Sequence, residues 1–313
     1  MRTFRFDELP KAIVLALTIL LFAGLANAQD SDEKGSPTPP GLFITPTVLS
    51  NAVQQNLNPG LANYPNFVAG QAVKAVVSPD GKTLAILTAG MNSLIKLVDS
   101  NHAAVDTAAS TQFLFLYDIS GANKTKPTLK QVIQQPNAHV GLVWAPNGQT
   151  LYAAGGCDDA IYAYSSGASF TLSAKISLGH VACGSSNTSG LGLGVAPNVV
   201  GLAISADGKT LVAANNYNDS ISVVDTATGT VRFEYDLRPY STSGAPDGTK
   251  GGTFPFAVAL KGNVAYVGAD RDREVIAVNV ASPGGSFVAR IPLDGNPNGM
   301  TLSSDGSMLF VAQ

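Results

Sequence analysis

Ser78-Pro79-Asp80-Gly81-Lys82-Thr83-Leu84 returns along the chain as Ala145-Pro146-Asn147-Gly148-Gln149-Thr150-Leu151 and as Ser205-Ala206-Asp207-Gly208-Lys209-Thr210-Leu211. A looser copy reads Ser303-Ser304-Asp305-Gly306-Ser307-Met308-Leu309. Asp-Gly or Asn-Gly between two apolar runs favours a tight hairpin, because both central residues tolerate positive φ. Aligned on the turn glycine, the copies fall at Gly81, Gly148, Gly208, Gly262 and Gly306, at intervals of 67, 60, 54 and 44 residues. The Gly262 copy is shortened to Lys261-Gly262-Asn263, with apolar runs on both sides.

Each unit carries two further strand-like runs, shown in the third by Ser220 to Asp225 and Thr230 to Asp236. Four strands per repeat at this spacing predict an all-β chain, a β-propeller of four-stranded blades of the seven-bladed type. Complete blades are expected near residues 71–136, 139–180, 199–238 and 255–293. A fifth begins at Asn298 and reaches Gln313 midway through its second strand. A blade stopped there leaves an open edge, so the expectation is about four and a half blades of a longer protein.

Ahead of the repeats, residues 1–28 have the form of a secretory signal peptide. Arg2, Arg5 and Lys11 precede an apolar stretch from Ala12 to Leu25, and Ala26-Asn27-Ala28 is an A-x-A cleavage site. Residues 29–43 are charged and then Pro-rich, a disordered leader, which leaves 44–313 as the incomplete propeller. The signal removes three basic and two acidic residues from totals of 19 and 22, for a net charge of −4. That balance, without clustered Lys and Arg, excludes a nucleic-acid surface. No second apolar stretch is long enough to span a membrane after signal cleavage, and the expected location is periplasmic or extracellular.

The third unit carries the closest family resemblance. Leu211-Val-Ala-Ala-Asn215 followed by Asn218-Asp-Ser-Ile-Ser-Val-Val-Asp225-Thr-Ala-Thr-Gly-Thr-Val231 resembles the consensus of YVTN-type β-propeller repeats. Ile44-Thr-Pro-Thr47, Leu57-Asn-Pro-Gly60, Phe254-Pro-Phe256, Arg271-Asp-Arg-Glu274 and Asn296-Pro-Asn298 further resemble the propeller half of bacterial secreted propeller/alkaline-phosphatase-like phosphoesterase proteins. The resemblance implies a propeller fold and a C-terminal partner domain.

If every innermost strand runs toward its Asp-Gly turn, those turns share one rim. The long loops Met91 to Thr111, Gly179 to Asn198 and Arg238 to Thr253 then share the other. Long loops on a rigid scaffold carry binding, so this rim is expected to hold a small polar ligand, a protein partner or a further domain. Candidate ligand-binding residues at the strand starts are Asn137, His139, Asn198, Phe254, Asn296 and Asn298, joined by His180 in a link between blades. Proline and asparagine there equally serve to shape the link.

Asp159 and Asp219 share one repeat position, which marks them as turn devices bonding nearby backbone. His139 and His180 with Asp158 match no metal-ligand spacing, and no metal is assigned. In Asp270-Arg271-Asp272-Arg273-Glu274 the acids suffice to pair both arginines; alternatively Arg271 or Arg273 meets an anionic group through its planar fork. Cys157 and Cys183, an even pair in an exported chain, are expected to form a disulfide. It would close about 26 residues and stabilise the fold by roughly 3–4 kcal/mol.

There is no nucleophile elbow, P-loop, H-E-x-x-H or dinucleotide fingerprint, so neither a catalytic residue nor a cofactor is assigned. The preferred reading is an exported binding scaffold. The rival is a propeller lactonase acting on a sugar lactone with His and Arg at the channel mouth.

Overall fold

The computed structural model describes residues 55–181, 197–239 and 251–313, with two short strands at 36–37 and 43–44. It divides into Met1–Gln55 and Asn56–Gln313. In the first unit β1 (Ser36–Pro37) pairs antiparallel with β2 (Phe43–Ile44). Among the described residues there is no α-helix, and so none that could cross a membrane.

The second unit is a β-propeller arc of antiparallel meanders. Its first blade orders β3 (Ala72–Val77), β4 (Thr83–Thr88), β7 (Gln112–Asp118) and β8 (Thr128–Gln135). Between β4 and β7 the long loop folds on itself as a hairpin of β5 (Ile95–Leu97) and β6 (Ala103–Val105). The second blade holds β9 (Leu142–Trp144), β10 (Thr150–Ala154), β11 (Ala160–Ser165) and β12 (Thr171–Ser177). The third holds β13 (Val199–Ile204), β14 (Thr210–Asn215), β15 (Ser220–Asp225) and β16 (Thr230–Asp236). The fourth holds β17 (Pro255–Lys261), β18 (Val264–Ala269), β19 (Glu274–Asn279) and β20 (Ser286–Pro292). A last hairpin joins β21 (Gly299–Leu302) to β22 (Leu309–Ala312).

The middle strands explain why blades stack. Successive side chains of β14 point to opposite faces. Leu211 and Ala213 enter a core with Tyr152, Ile161 and Ile176 of the second blade. Val212 and Ala214 enter another with Val258, Val267 and Ile276 of the fourth. A strand buried on both faces reads as a continuous apolar run, as in Leu-Val-Ala-Ala. A third core joins Leu114 and Leu116 of the first blade to Trp144, Leu151 and Tyr164 of the second. The opposite face of the first blade, with Phe113, Phe115 and Tyr117, is packed by Leu57, Leu61 and Phe67 from the segment ahead of β3.

Every complete blade shifts register between its third and fourth strands, at Leu116/Tyr117, Ala163/Tyr164, Val223/Val224 and Ala277/Val278. A bulge at one fixed place strengthens the local twist, so that the blades splay as a fan.

The Asp-Gly turns depart from expectation in one respect. Only the glycine takes positive φ, at 70° in Gly81, 70° in Gly148 and 74° in Gly208. The acidic residue keeps an ordinary backbone and works through its side chain. Asp207 Oδ1 accepts from Ser205 Oγ at 2.6 Å and Lys209 N at 3.0 Å, while Ser205 Oγ accepts from Thr210 N at 2.9 Å. Asp80 and Asp305 repeat the pattern with Ser78 and Ser303. A glycine in the left-handed region after a type I turn closes these hairpins.

Candidate functional site

Two sets of left-handed residues lie at the rim opposite the Asp-Gly turns. Gln71 (φ 49°), Asn198 (φ 59°) and Phe254 (φ 54°) turn the chain into an innermost strand. Asp159 (φ 49°), Asp219 (φ 52°) and Arg273 (φ 53°) turn it into a third strand. Each such backbone costs on the order of 1–3 kcal/mol unless its surroundings hold it. Here bonds do so: Gln71, Asn198 and Phe254 accept through their carbonyls from Ala89, Asn216 and Asp270 N–H at 2.9–3.0 Å. The Asp219 carboxylate accepts from Phe254 N at 3.0 Å, and that of Asp159 from His180 N at 2.6 Å. The same register position thus ties down the link to the following blade.

The innermost strands enclose one cavity of about 180 Å³, with Lys74, Val140, Leu202, Phe256 and Asn298 each contributed by a different unit. His139 precedes this lining. Its Nδ1 accepts from Val140 N–H at 3.0 Å and its ring meets Phe256 edge-on at 5.8 Å. Burial pulls the His139 pKa below its ordinary 6.5, so the ring is neutral at pH 7. With Nδ1 accepting, the proton sits on Nε2, which leaves that nitrogen a donor.

His180 has a different setting. Nδ1 lies 2.9 Å from Asp159 Oδ1 in its own blade and Nε2 3.2 Å from Glu234 Oε2 on β16. The three side chains are 12%, 2% and 24% exposed. Burial opposes charging, yet the hydrogen bonds and charges of Asp159 and Glu234 outweigh it and raise the His180 pKa to about 9. Burial likewise disfavours the Glu234 carboxylate, but its bonds to His180 and Ser220 hold its pKa below normal. The imidazolium is an ionic bolt between the second and third blades. Asp159, expected as a turn device alone, is also one arm of that bolt; Glu234 carried no repeat or spacing signal.

Asn137 Nδ2 donates to Asp158 Oδ1 at 2.6 Å, and Asp158 also accepts from the Tyr162 hydroxyl. Asn296 Nδ2 donates to Asp270 O at 2.8 Å, shaping the link into β21. Asn198 is buried, with its left-handed backbone in the link before β13. His139 and His180, considered together above, have separate partners. Cys157 is disulfide-bonded, and Cys183 lies outside the described residues, as do residues 182–196 and 240–250 of two long loops.

Asp272 and Glu274 of the 270–274 segment bond outside the run. Asp270 Oδ1 is buried without a donor among the described residues. Asp272 accepts from Thr253 N at 2.7 Å, and Glu274 pairs with Arg290 at 2.7 Å. Arg271 stacks on the Phe254 ring, 5.7 Å from its centroid, while Tyr217 meets that ring edge-on at 5.8 Å. Arg273, exposed, sits at the turn into β19. Residues 270–273 form the turn between β18 and β19, and Glu274 opens β19 opposite Ala269.

Solved structures share the architecture. The chain aligns with a putative 6-phosphogluconolactonase from Bacteroides uniformis ATCC 8492 at TM-score 0.52 and 15% identity, covering 79% of this chain and 65% of that one. It aligns with the periplasmic gluconolactonase of Pseudomonas aeruginosa at TM-score 0.50 and 15% identity, covering 78% and 66%. A functionally unknown protein from Desulfotomaculum acetoxidans DSM 771 aligns at TM-score 0.51 and 14% identity, covering 79% and 64%. At such identities the likeness establishes the fold. The chain spans 64–66% of the length of these structures. No family model and no curated protein matches the chain.

Proposed function

We propose that this propeller binds a sugar-derived lactone at its channel mouth and promotes its hydrolysis, in an exported protein. The observation that carries the reading is the meeting of innermost strands from five repeat units around one small cavity beside a neutral imidazole. A cavity of about 180 Å³ is smaller than the roughly 300–1,000 Å³ of drug-sized sites and suits a ligand of one ring. Of the structural neighbours, one is described as a putative 6-phosphogluconolactonase and one as a periplasmic gluconolactonase, which supports the lactone substrate class. Export is supported by the leader at 1–28 and by the disulfide of Cys157.

In lactone hydrolysis a water oxygen adds to the carbonyl carbon, the ring C–O bond then breaks, and a hydroxy acid is released. Charge develops on the carbonyl oxygen. His139 Nε2–H and the Lys74 ammonium are the groups this chain offers to stabilise it. His139→Gln is expected to lower kcat/KM for gluconolactone by about 10²-fold without lowering the melting temperature, measured by continuous acid release. Unchanged turnover in that variant would refute the role of His139. The scaffold reading is favoured by one observation, a lining dominated by glycine and aliphatic residues such as Val73, Gly141 and Gly201. Saturable binding of lactone with no acid release above background would decide for it.

A further inference from the structure

We propose that Tyr217, Phe254 and Arg271 form a second ligand site on the long-loop rim, for a sugar that carries a carboxylate. The argument starts from the guanidinium. An arginine flanked by acids at 270, 272 and 274 is ordinarily neutralised by them, and here each acid is engaged elsewhere or turned inward. Asp270 buries Oδ1, Asp272 holds Thr253, and Glu274 holds Arg290 and the Gly252 N–H. Among the described residues, Arg271 has only the Phe254 ring as partner. Its planar fork keeps its N–H donors for an outside acceptor, in the geometry that grips a carboxylate at two points.

The ring beneath it is held rigidly. Phe254 has a left-handed backbone, rare for a bulky residue, and sits immediately before Pro255. Asp219 fixes its N–H and Asp270 N–H fixes its carbonyl. A strained residue so constrained points to a positioned side chain and not to a slack loop. Tyr217 stands on a short turn at Asn216–Asn218, anchored by Tyr217 N to Pro197 O at 2.8 Å and by Asn216 Nδ2 to Pro255 O at 3.1 Å. The residue is nevertheless 47% exposed. A fixed, half-exposed aromatic face beside an open guanidinium matches a ligand with an apolar ring face and an anionic substituent. A uronic acid has both. The site is separate from the channel lining, so it stands or falls independently of lactone turnover.

Calorimetric titration of the full chain with digalacturonate tests this. Binding is expected, with at least tenfold weaker affinity in Arg271→Gln and clear weakening in Arg271→Lys, which keeps charge but loses the fork. Tyr217→Ala is expected to weaken it about fivefold. Both positions are exposed, and unchanged melting curves would confirm intact folding. Absence of binding, affinity within twofold in Arg271→Gln, or equal affinity for uncharged digalactose would overturn the proposal. Competition by inorganic phosphate at concentrations equal to the sugar acid would overturn the carboxylate-sugar class.

Discussion

Gly201→Ala is expected to destabilise the protein by about 3 kcal/mol or more, the upper range for an overpacked core. For a domain of this size that corresponds to a fall of roughly 6–12 °C in melting temperature. A Cβ at 201 would overlap the carbonyl oxygen of Phe256 on the neighbouring innermost strand. Neither partner is a side chain that can rotate away, since both are backbone, so relief requires the third and fourth blades to separate. Gly201 has no positive φ, and the loss is therefore steric and not conformational. Gly141 has the same role one blade earlier, where a Cβ would meet Leu202 Cγ at 2.7 Å and the Val200 carbonyl oxygen. Gly167→Ala is the control: its Cβ would lie 3.5 Å from Ser169 O, an ordinary contact, and stability should change by less than about 0.5 kcal/mol. Equal melting of Gly201→Ala and the wild type would mean that the blades do not approach through this strand.

The second large effect concerns the charged bolt. His180→Gln leaves Asp159, 2% exposed, and Glu234 without their shared cation, a loss of about 3–5 kcal/mol. The pH dependence separates charge from packing. The folded pKa of His180, about 9, lies above its ordinary 6.5, so its contribution is complete below pH 6.5 and is lost as pH rises through 9. The shift corresponds to about 3 kcal/mol. Glu234 has the opposite sense: its folded pKa is depressed, and its contribution is lost as pH falls below the ordinary carboxylate range. Stability should therefore be greatest near pH 5–6.5 and decline toward pH 9.5. Urea unfolding at pH 6 and pH 9.5 reads this directly. The wild type is expected to lose stability over that interval and His180→Gln to lose little. Parallel losses in both proteins would remove His180 from the explanation.

The fold was legible because a propeller writes its period into the chain. Asp-Gly turns at Gly81, Gly148 and Gly208, and apolar strands such as Leu211 to Ala214, announce each hairpin locally. The site was legible only in outline. His139 stood out by its place at the start of an innermost strand, whereas Phe256, its ring partner, lies two blades away in a chain reading and one cavity width away in the fold. Tyr217 gave no signal, because one aromatic in a turn is unremarkable until Phe254 and Arg271 are beside it. In the 270–274 run, alternating charge says which residues could pair, and only the fold brings Glu274 to Arg290 and Arg271 to Phe254.

The sequence by itself determined the repeating unit, the blade boundaries and the separation of tight turns from long loops, since these depend on hydrophobic period and turn chemistry within a few residues. Tertiary structure alone decided which side chains from different blades meet, and with what charge. Those contacts, between Gly201 and Phe256, His180 and Glu234, and Tyr217 and Phe254, depend on how neighbouring sheets are rotated and spaced. That rotation comes from twist accumulated over each blade and packed against the next, a quantity no local stretch contains.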